Sequence, residues 1–441
     1  MPDDVRVPRR TLKEIDEVEG DLSVDEGVVR SSKPGGVIRV SGYTECRDDC
    51  TFESSLVTSE LRGRDGDILV EGDLSVQDSI KINRGRLEVS GDLTSKKMEV
   101  DRSVSVGGDM DVERARVGGT LRVRGKSKAT HVDVGGSFKT ESDAEIEEID
   151  VGGSVQIGGA TKSGIIKSGG SFKGYGPVDA ELIDVGGTVK IDGEAKVEEI
   201  DVGGSVKLTG GLARDIRVGG TLKSSDPLEF ERIRVGGSVK ISGGKGGDID
   251  VGGTFKSDGD LTFENIDVGG TVKIDGNAYG RNIEVGGTAK VDGDMELTED
   301  LRVGGKAEAG GLIKARSVLV GGKVEARRVE ALDEIRTNTL KTRDGAKADY
   351  IELGRRGEAE GPIVARKVLI RERARVEDIH ADEVTLRRGC RALNIYANRV
   401  TVETDCRISG EVKYTDSLRA ERNVHFAYEP EKTEKLPEPP L

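Results

Sequence analysis

The sequence is poor in aromatic residues and in cysteine. Its 441 residues include no Trp, 7 Phe, 7 Tyr and only 4 Cys. This shortage argues against a thick globular core, because such cores are normally filled by bulky apolar side chains. Four cysteines are too few for a disulfide-dense secreted scaffold, and no spacing of Cys and His is typical of a zinc site. We therefore predict no metal and no cofactor.

Long apolar runs are missing as well. No stretch of about 18 apolar residues occurs, which is the length that a membrane-spanning helix requires. Residues 1–17 are charged where a signal peptide would be apolar. We therefore expect a protein of the cytoplasm, either free or peripheral to the membrane.

The net charge also excludes a class of partner. A formal charge of −14 disfavours nucleic acid, whose phosphates select basic surfaces. Residues 313–428 carry more basic than acidic side chains, whereas the remainder of the chain is strongly acidic. This asymmetry indicates a surface that can steer a charged partner toward one region.

Glycine is abundant, with 63 residues, and much of it lies in the triplet Val-Gly-Gly. Ser168 begins a Ser-Gly-Gly in the same register, and the dominant step is 17 residues. The triplets begin at Val106, Val117, Val134, Val151, Val185, Val202, Val218, Val235, Val251, Val268, Val285, Val303 and Val320.

One repeat, residues 183–200, reads as three short strands, each with two apolar positions separated by a polar one. Stacking such coils buries a continuous apolar tube. The sequence thus predicts an all-β protein, a single long parallel β-solenoid with triangular coils of about 17 residues. We expect the corner glycines to adopt positive φ and to avoid a Cβ clash.

The repeat also predicts the organisation of the chain. Its five parts are a flexible charged segment 1–17, irregular coils 18–105, regular Val-Gly-Gly coils 106–322, C-terminal coils 323–428, and a flexible Pro- and Glu-rich tail 429–441.

Two segments, residues 91–100 and 361–370, fit the pattern Gly-x-Ile-x-Ala-x-x-Val-x-Ile. They read Gly-Asp-Leu-Thr-Ser-Lys-Lys-Met-Glu-Val and Gly-Pro-Ile-Val-Ala-Arg-Lys-Val-Leu-Ile. In this the chain resembles the bactofilin family of polymer-forming cytoskeletal proteins. The resemblance implies a right-handed triangular β-helix, assembly into filaments without nucleotide through end-to-end stacking of coils, and association with the inner face of a membrane.

A row of lysines recurs at the outward position of the strand that follows each glycine corner. Like charges stacked about 4.8 Å apart repel unless carboxylates or a polyanion offset them. Asp192, Asp275 and Asp292 lie two residues after lysines of the row. We favour a solvated, edge-protecting face over the alternative of a docking face for another filament, an acidic protein or anionic lipid. The row comprises Lys139, Lys173, Lys190, Lys207, Lys223, Lys240, Lys256, Lys273 and Lys290, with Gln156 at one position.

Aromatic residues gather near the C-terminal end of the repeat. Tyr414, Phe426 and Tyr428 are predicted either to cap the last coil or to contact another subunit, and the bactofilin resemblance favours contact.

The cysteines form two pairs in the sequence. Cys390 and Cys406 lie 16 residues apart, so they should stack in adjacent coils as buried reduced thiols. Cys46 and Cys50 should flank a corner in the same way.

These observations predict a non-enzymatic, self-assembling scaffold with no catalytic residues. Two alternatives stay open. Residues 185–195 also fit the spacing of hexapeptide acyltransferases, and a carbohydrate-binding or adhesive β-helix is the other.

Overall fold

A computed structural model describes residues 3–441 and contains, within that range, strands and turns but no helix. The chain is a parallel β-solenoid of about 25 turns with about 17 residues per turn. The predicted fold class is thus confirmed. Residues 3–441 include no helix that could span a membrane.

The chain divides into two compact units, Met1–Gly220 and Thr221–Leu441. The strands of the first unit are β1 Val5–Val7, β2 Leu12–Glu14, β3 Glu17–Val18, β4 Leu22–Asp25, β5 Val28–Arg30, β6 Val37–Val40, β7 Tyr43–Arg47, β8 Cys50–Phe52, β9 Ser55–Arg64, β10 Ile68–Val70, β11 Leu74–Asn83, β12 Leu87–Val89, β13 Leu93–Val100, β14 Ser103–Val106, β15 Met110–Val117, β16 Thr120–Val123, β17 Ser127–Val134, β18 Ser137–Thr140, β19 Ala144–Val151, β20 Ser154–Ile157, β21 Thr161–Ser168, β22 Ser171–Gly174, β23 Val178–Val185, β24 Thr188–Val202 and β25 Ser205–Val218.

The strands of the second unit are β26 Thr221–Ser224, β27 Leu228–Val235, β28 Ser238–Ile241, β29 Gly244–Val251, β30 Thr254–Ser257, β31 Leu261–Thr262, β32 Asn265–Val268, β33 Thr271–Ile274, β34 Ala278–Gly280, β35 Asn282–Val285, β36 Thr288–Val291, β37 Met295–Leu297, β38 Asp300–Val303, β39 Lys306–Ala309, β40 Leu312–Glu360, β41 Ile363–Ile370, β42 Arg375–Val376, β43 Ile379–Leu386, β44 Arg391–Ala392, β45 Ile395–Val402, β46 Arg407–Ile408, β47 Val412–Ala420, β48 His425–Phe426 and β49 Glu431–Lys432. The extended stretch β40 is 49 residues long.

A long strand and a short strand make up one regular coil, as β15 and β16 do. Two adjacent exposed residues divide the long strand into two halves, so the coil presents three pairs of inward side chains. Parallel pairing places each pair against its equivalent in the next coil. The inward residues of this coil are Met110, Val112, Ala115, Val117, Leu121 and Val123, all buried.

The N-terminal segment belongs to the solenoid, which corrects its predicted placement outside the coils. Strands β1, β2 and β3 pair in parallel with β4, β5 and β6. Val7, Ile15 and Val18 are buried, so the charges around them mark outward positions of strands. The charged composition of residues 1–17 hid this alternation.

The C-terminal tail also contacts the coils. Strand β49 pairs with Lys413 and Tyr414 of β47, and the amide of Thr433 donates to the carbonyl oxygen of Tyr414 at 2.9 Å. Leu441 lies beside Gly345. These contacts place parts of the predicted flexible tail against the second unit.

The glycine corners turn for a different reason from the one predicted. Positive φ occurs at seven glycines of residues 3–441, and none belongs to a Val-Gly-Gly triplet. Instead, each corner glycine faces a carbonyl oxygen of the coil before it. A Cβ on Gly187 would lie less than 3.0 Å from the carbonyl oxygen of Gly170, and the same holds for Gly204 against Gly187. Close stacking of backbones, and not φ, therefore requires glycine here.

Carboxylates order a second corner of the coil. In the first unit, Asp92 accepts a hydrogen bond from the amide of Asp109 at 2.7 Å, and Asp109 accepts one from the amide of Lys126 at 2.7 Å. Gly125 precedes Lys126 because a Cβ there would meet the carboxylate of Asp109. The Gly-Asp dipeptides of the sequence are therefore links between successive coils.

Gly187→Ala is expected to destabilise the protein by about 1–3 kcal/mol, because the methyl group must displace the carbonyl of the preceding coil. Thr188→Ala, at the neighbouring exposed position, is the matched control and should change stability by less than about 0.5 kcal/mol. Urea unfolding followed by circular dichroism measures both. Equal stability of the two variants would contradict this account of the corner.

Asp109→Ala should cost about 1 kcal/mol through loss of the hydrogen bond to the Lys126 amide. Asp109→Asn should retain most of it, since Asn277 accepts the equivalent bond from the amide of Asp294 at 2.9 Å in the second unit. Hydrogen exchange at the Lys126 amide gives the local readout. Faster exchange is expected in the alanine variant alone, and unchanged exchange there would refute the linking role.

Candidate functional site

The lysine row predicted from the sequence, here called the lysine ladder, lies on the outward side of the short strands. In the first unit Lys139, Gln156, Lys173, Lys190 and Lys207 pair in register from coil to coil. In the second unit the register continues in the same way through Lys223, Lys240, Lys256, Lys273 and Lys290.

Carboxylates at the next corner pair with most of the lysine ladder in the second unit. Lys256 lies 2.5 Å from Asp258 and 3.2 Å from Asp275, and Lys273 lies 2.5 Å from Asp275. Lys240 reaches Asp258 at 2.9 Å. Each of these carboxylates therefore bridges lysines of two successive coils, and the repulsion along the ladder is offset locally.

The ionisation of these groups reflects the pairing. Hydrogen bonds from Lys256 and Lys240 lower the pKa of Asp258, and those from Lys273 and Lys256, against desolvation, lower the pKa of Asp275. The bonds to Asp258 and Asp275 raise the pKa of Lys256. The pairs are charged across the neutral range, so this stretch of the face is already compensated.

A second row of charges lines a groove of about 960 Å³ on the first unit. Acidic and basic residues alternate along it, and they pair at 4.0 Å between Lys162 and Glu145 and at 3.0 Å between Lys196 and Asp179. This row neutralises itself from coil to coil. Its members are Asp111, Lys128, Glu145, Lys162, Asp179 and Lys196.

The C-terminal coils carry an arginine ladder that the sequence analysis missed. Arg375, Arg391 and Arg407 stack in register on strands β42, β44 and β46, with Glu358 before them and His425 after them. All three arginines are exposed. The signal was present as a step of 16 residues, but it carries no Val-Gly-Gly corner to align it with the lysines.

The aromatic residues at the C-terminal end lie on the last coils. Tyr414 belongs to β47 and pairs in register with Ala397 and Lys432. Phe426 belongs to β48, in register with Ile408 and only partly buried. Tyr428 follows it and is 62% exposed. The structure thus gathers the three residues at one end of the second unit.

The four cysteines are free and buried. The thiol of Cys390 donates to the carbonyl oxygen of Arg371 at 3.0 Å, and that of Cys406 donates to Arg387 at 3.1 Å. A hydrogen bond between the two thiols raises the pKa of Cys390, and burial raises it further. Cys46 and Cys50 lie on β7 and β8, on either side of the corner at Asp48, as expected.

No family model matches this chain, and no curated protein or solved structure matches it.

The paired lysine ladder predicts a pH dependence of stability. Because the folded pKa of Asp258 and of Asp275 is lowered, their contribution is present above the unfolded value of 3.8 and is lost as pH falls through the folded value. The double variant Asp258→Asn/Asp275→Asn should melt below wild type at pH 7. This difference should shrink toward zero as the pH approaches 2, as measured by Tm in a pH series.

The double variant Asp250→Asn/Asp267→Asn removes the same charge from carboxylates that form no ion pair within residues 3–441. It should leave the acid limb of the Tm profile unchanged. An equal effect of both double variants would mean that net charge, and not pairing with lysine, sets the profile.

Proposed function

We propose that this protein is a non-enzymatic structural scaffold that assembles, as bactofilins do, through the ends of its solenoid and without nucleotide. The observation that carries the proposal is the opening of the apolar core at the last C-terminal coil.

The core is closed one coil earlier and open at the end. Val400 and Ile408 are 1% and 0% exposed. Leu418 and Phe426, their partners in the following coil, are only partly buried. Apolar side chains in this position gain free energy when a further surface covers them.

The backbone of this coil also offers a strand edge. Strand β48 pairs with β46 on one side, and β49 covers only Lys413 and Tyr414 of the nine residues of β47. Such an edge is a template for pairing with another chain. An open core and an open edge at the same end support end-to-end contact between copies, with Tyr414, Phe426 and Tyr428 in the contact.

Phe426→Arg is expected to shorten or abolish filaments, because a charge in the contact would have to be desolvated. Negative-stain electron microscopy over a concentration series of the full chain measures this. Tyr279→Arg is the matched control, since Tyr279 is 39% exposed on β34, away from the last coil. The control should form filaments like wild type.

Single particles of wild type at every concentration would overturn the proposed polymerisation. Filaments that survive Phe426→Arg would move the contact away from the last coil.

A further inference from the structure

The arginine ladder lacks the compensation that the lysine ladder has. No carboxylate lies within ion-pairing distance of Arg375, Arg391 or Arg407 in the part of the chain that the structure describes, although neighbouring arginines are paired. For example, Arg387 contacts Glu403 at 2.5 Å and Arg388 contacts Asp405 at 3.0 Å.

The reason lies two residues further along each strand. Where Lys273 is followed by Asp275, Arg391 is followed by Leu393 and Arg407 by Ser409. Glu377 follows Arg375, but its carboxylate accepts a hydrogen bond from the amide of Gly361 at 2.8 Å. Three exposed positive charges are therefore stacked about 4.8 Å apart without an internal counter-charge.

A complementary row lies elsewhere on the same unit. Asp250, Asp267 and Glu284 stack in register on β29, β32 and β35 and form the acidic ladder. All three are exposed, and none forms an ion pair with another residue of the range 3–441. Arg234 precedes them and Arg302 follows them in the same register.

The two ladders match rung by rung. Each has three like charges, and the arginine ladder begins after Glu358 whereas the acidic ladder is bounded by arginines on both sides. Two solenoids lying side by side share one rung spacing, so three opposite charges meet at once. Glu358 then faces Arg234 or Arg302, depending on the direction of the second copy.

We propose that the arginine ladder binds the acidic ladder of a second copy of this chain, so that copies associate side by side. Because two different patches meet, the contact is heterologous and can repeat from copy to copy. This inference deepens the proposed self-assembly but uses strands β42, β44 and β46, and not the end coil.

Commensurate spacing favours a second solenoid over nucleic acid. Phosphates follow one another by about 3.4 Å along each strand of duplex DNA, which does not match rungs about 4.8 Å apart. The formal charge of −14 further disfavours a long polyanion. A second copy supplies the acidic ladder at the required interval.

Two reciprocal variants of the full chain test the inference. One carries Arg375→Glu, Arg391→Glu and Arg407→Glu, and the other carries Asp250→Lys, Asp267→Lys and Glu284→Lys. Sedimentation velocity in about 0.05 M salt should show association of wild type, weakened at least about tenfold in each variant alone. An equimolar mixture of the two variants should associate again, because opposite ladders are restored between copies.

A control variant carries Arg343→Glu, Arg356→Glu and Arg419→Glu. These arginines are exposed on the same unit and change the net charge equally, but they do not stack in the arginine ladder. Association of the control should equal that of wild type. Equal loss in the control, or no recovery in the mixture, would overturn the inference.

The same samples separate this inference from the proposed function. Filaments that form in the arginine variant but no longer bundle under the microscope would support both proposals. Filaments that bundle as in wild type would refute the side-by-side contact and leave end-to-end assembly intact. Sodium polyphosphate is the remaining probe. Binding that the arginine variant alone loses, in a wild type that does not self-associate, would make the ladder a polyanion site and overturn the second-copy assignment.

Discussion

In-register stacking is the constraint on which the rest of this structure depends. Each residue lies about 4.8 Å from its counterpart in the next coil, so any side chain is repeated against itself or its replacement. At the Val-Gly-Gly corner the backbone itself fills that interval. The carbonyl oxygen of Gly170 occupies the space that a Cβ on Gly187 would need, and Gly187 in turn restricts Gly204. One corner glycine therefore enforces the next.

The same interval governs the charges. A row of like charges is tolerated where a neighbouring row supplies the opposite sign, as Asp258 and Asp275 do for Lys256. It is also tolerated where signs alternate along the row, as between Lys162 and Glu145. The arginine ladder has neither arrangement. Its departure from a rule that the other rows obey gives it functional meaning, because local inconsistencies of this kind concentrate at sites of interaction.

The fold was predictable because inward pairs and corner glycines recur with a nearly constant step. The lysine ladder followed from the same register. Two features were not predictable for physical reasons. The extended φ of the Val-Gly-Gly glycines depends on how closely coils approach, which composition does not reveal. The unpaired state of Arg391 depends on what lies beside it, Leu393 where Lys273 has Asp275, and this comparison requires alignment across a change of step from 17 to 16. Segment 1–17 was misplaced because its charges obscured the burial of Val7 and Val18.

End-to-end and side-by-side contacts draw on different physics, and this separation has a consequence for assembly. The contact at Phe426 rests on apolar burial and strand pairing, which salt does not screen. The contact through Arg391 rests on exposed charges, which salt screens within about 10 Å at 0.1 M. A scaffold built on both therefore keeps its filaments while ionic strength controls their bundling. The length of an assembly and its thickness become independent properties of one chain.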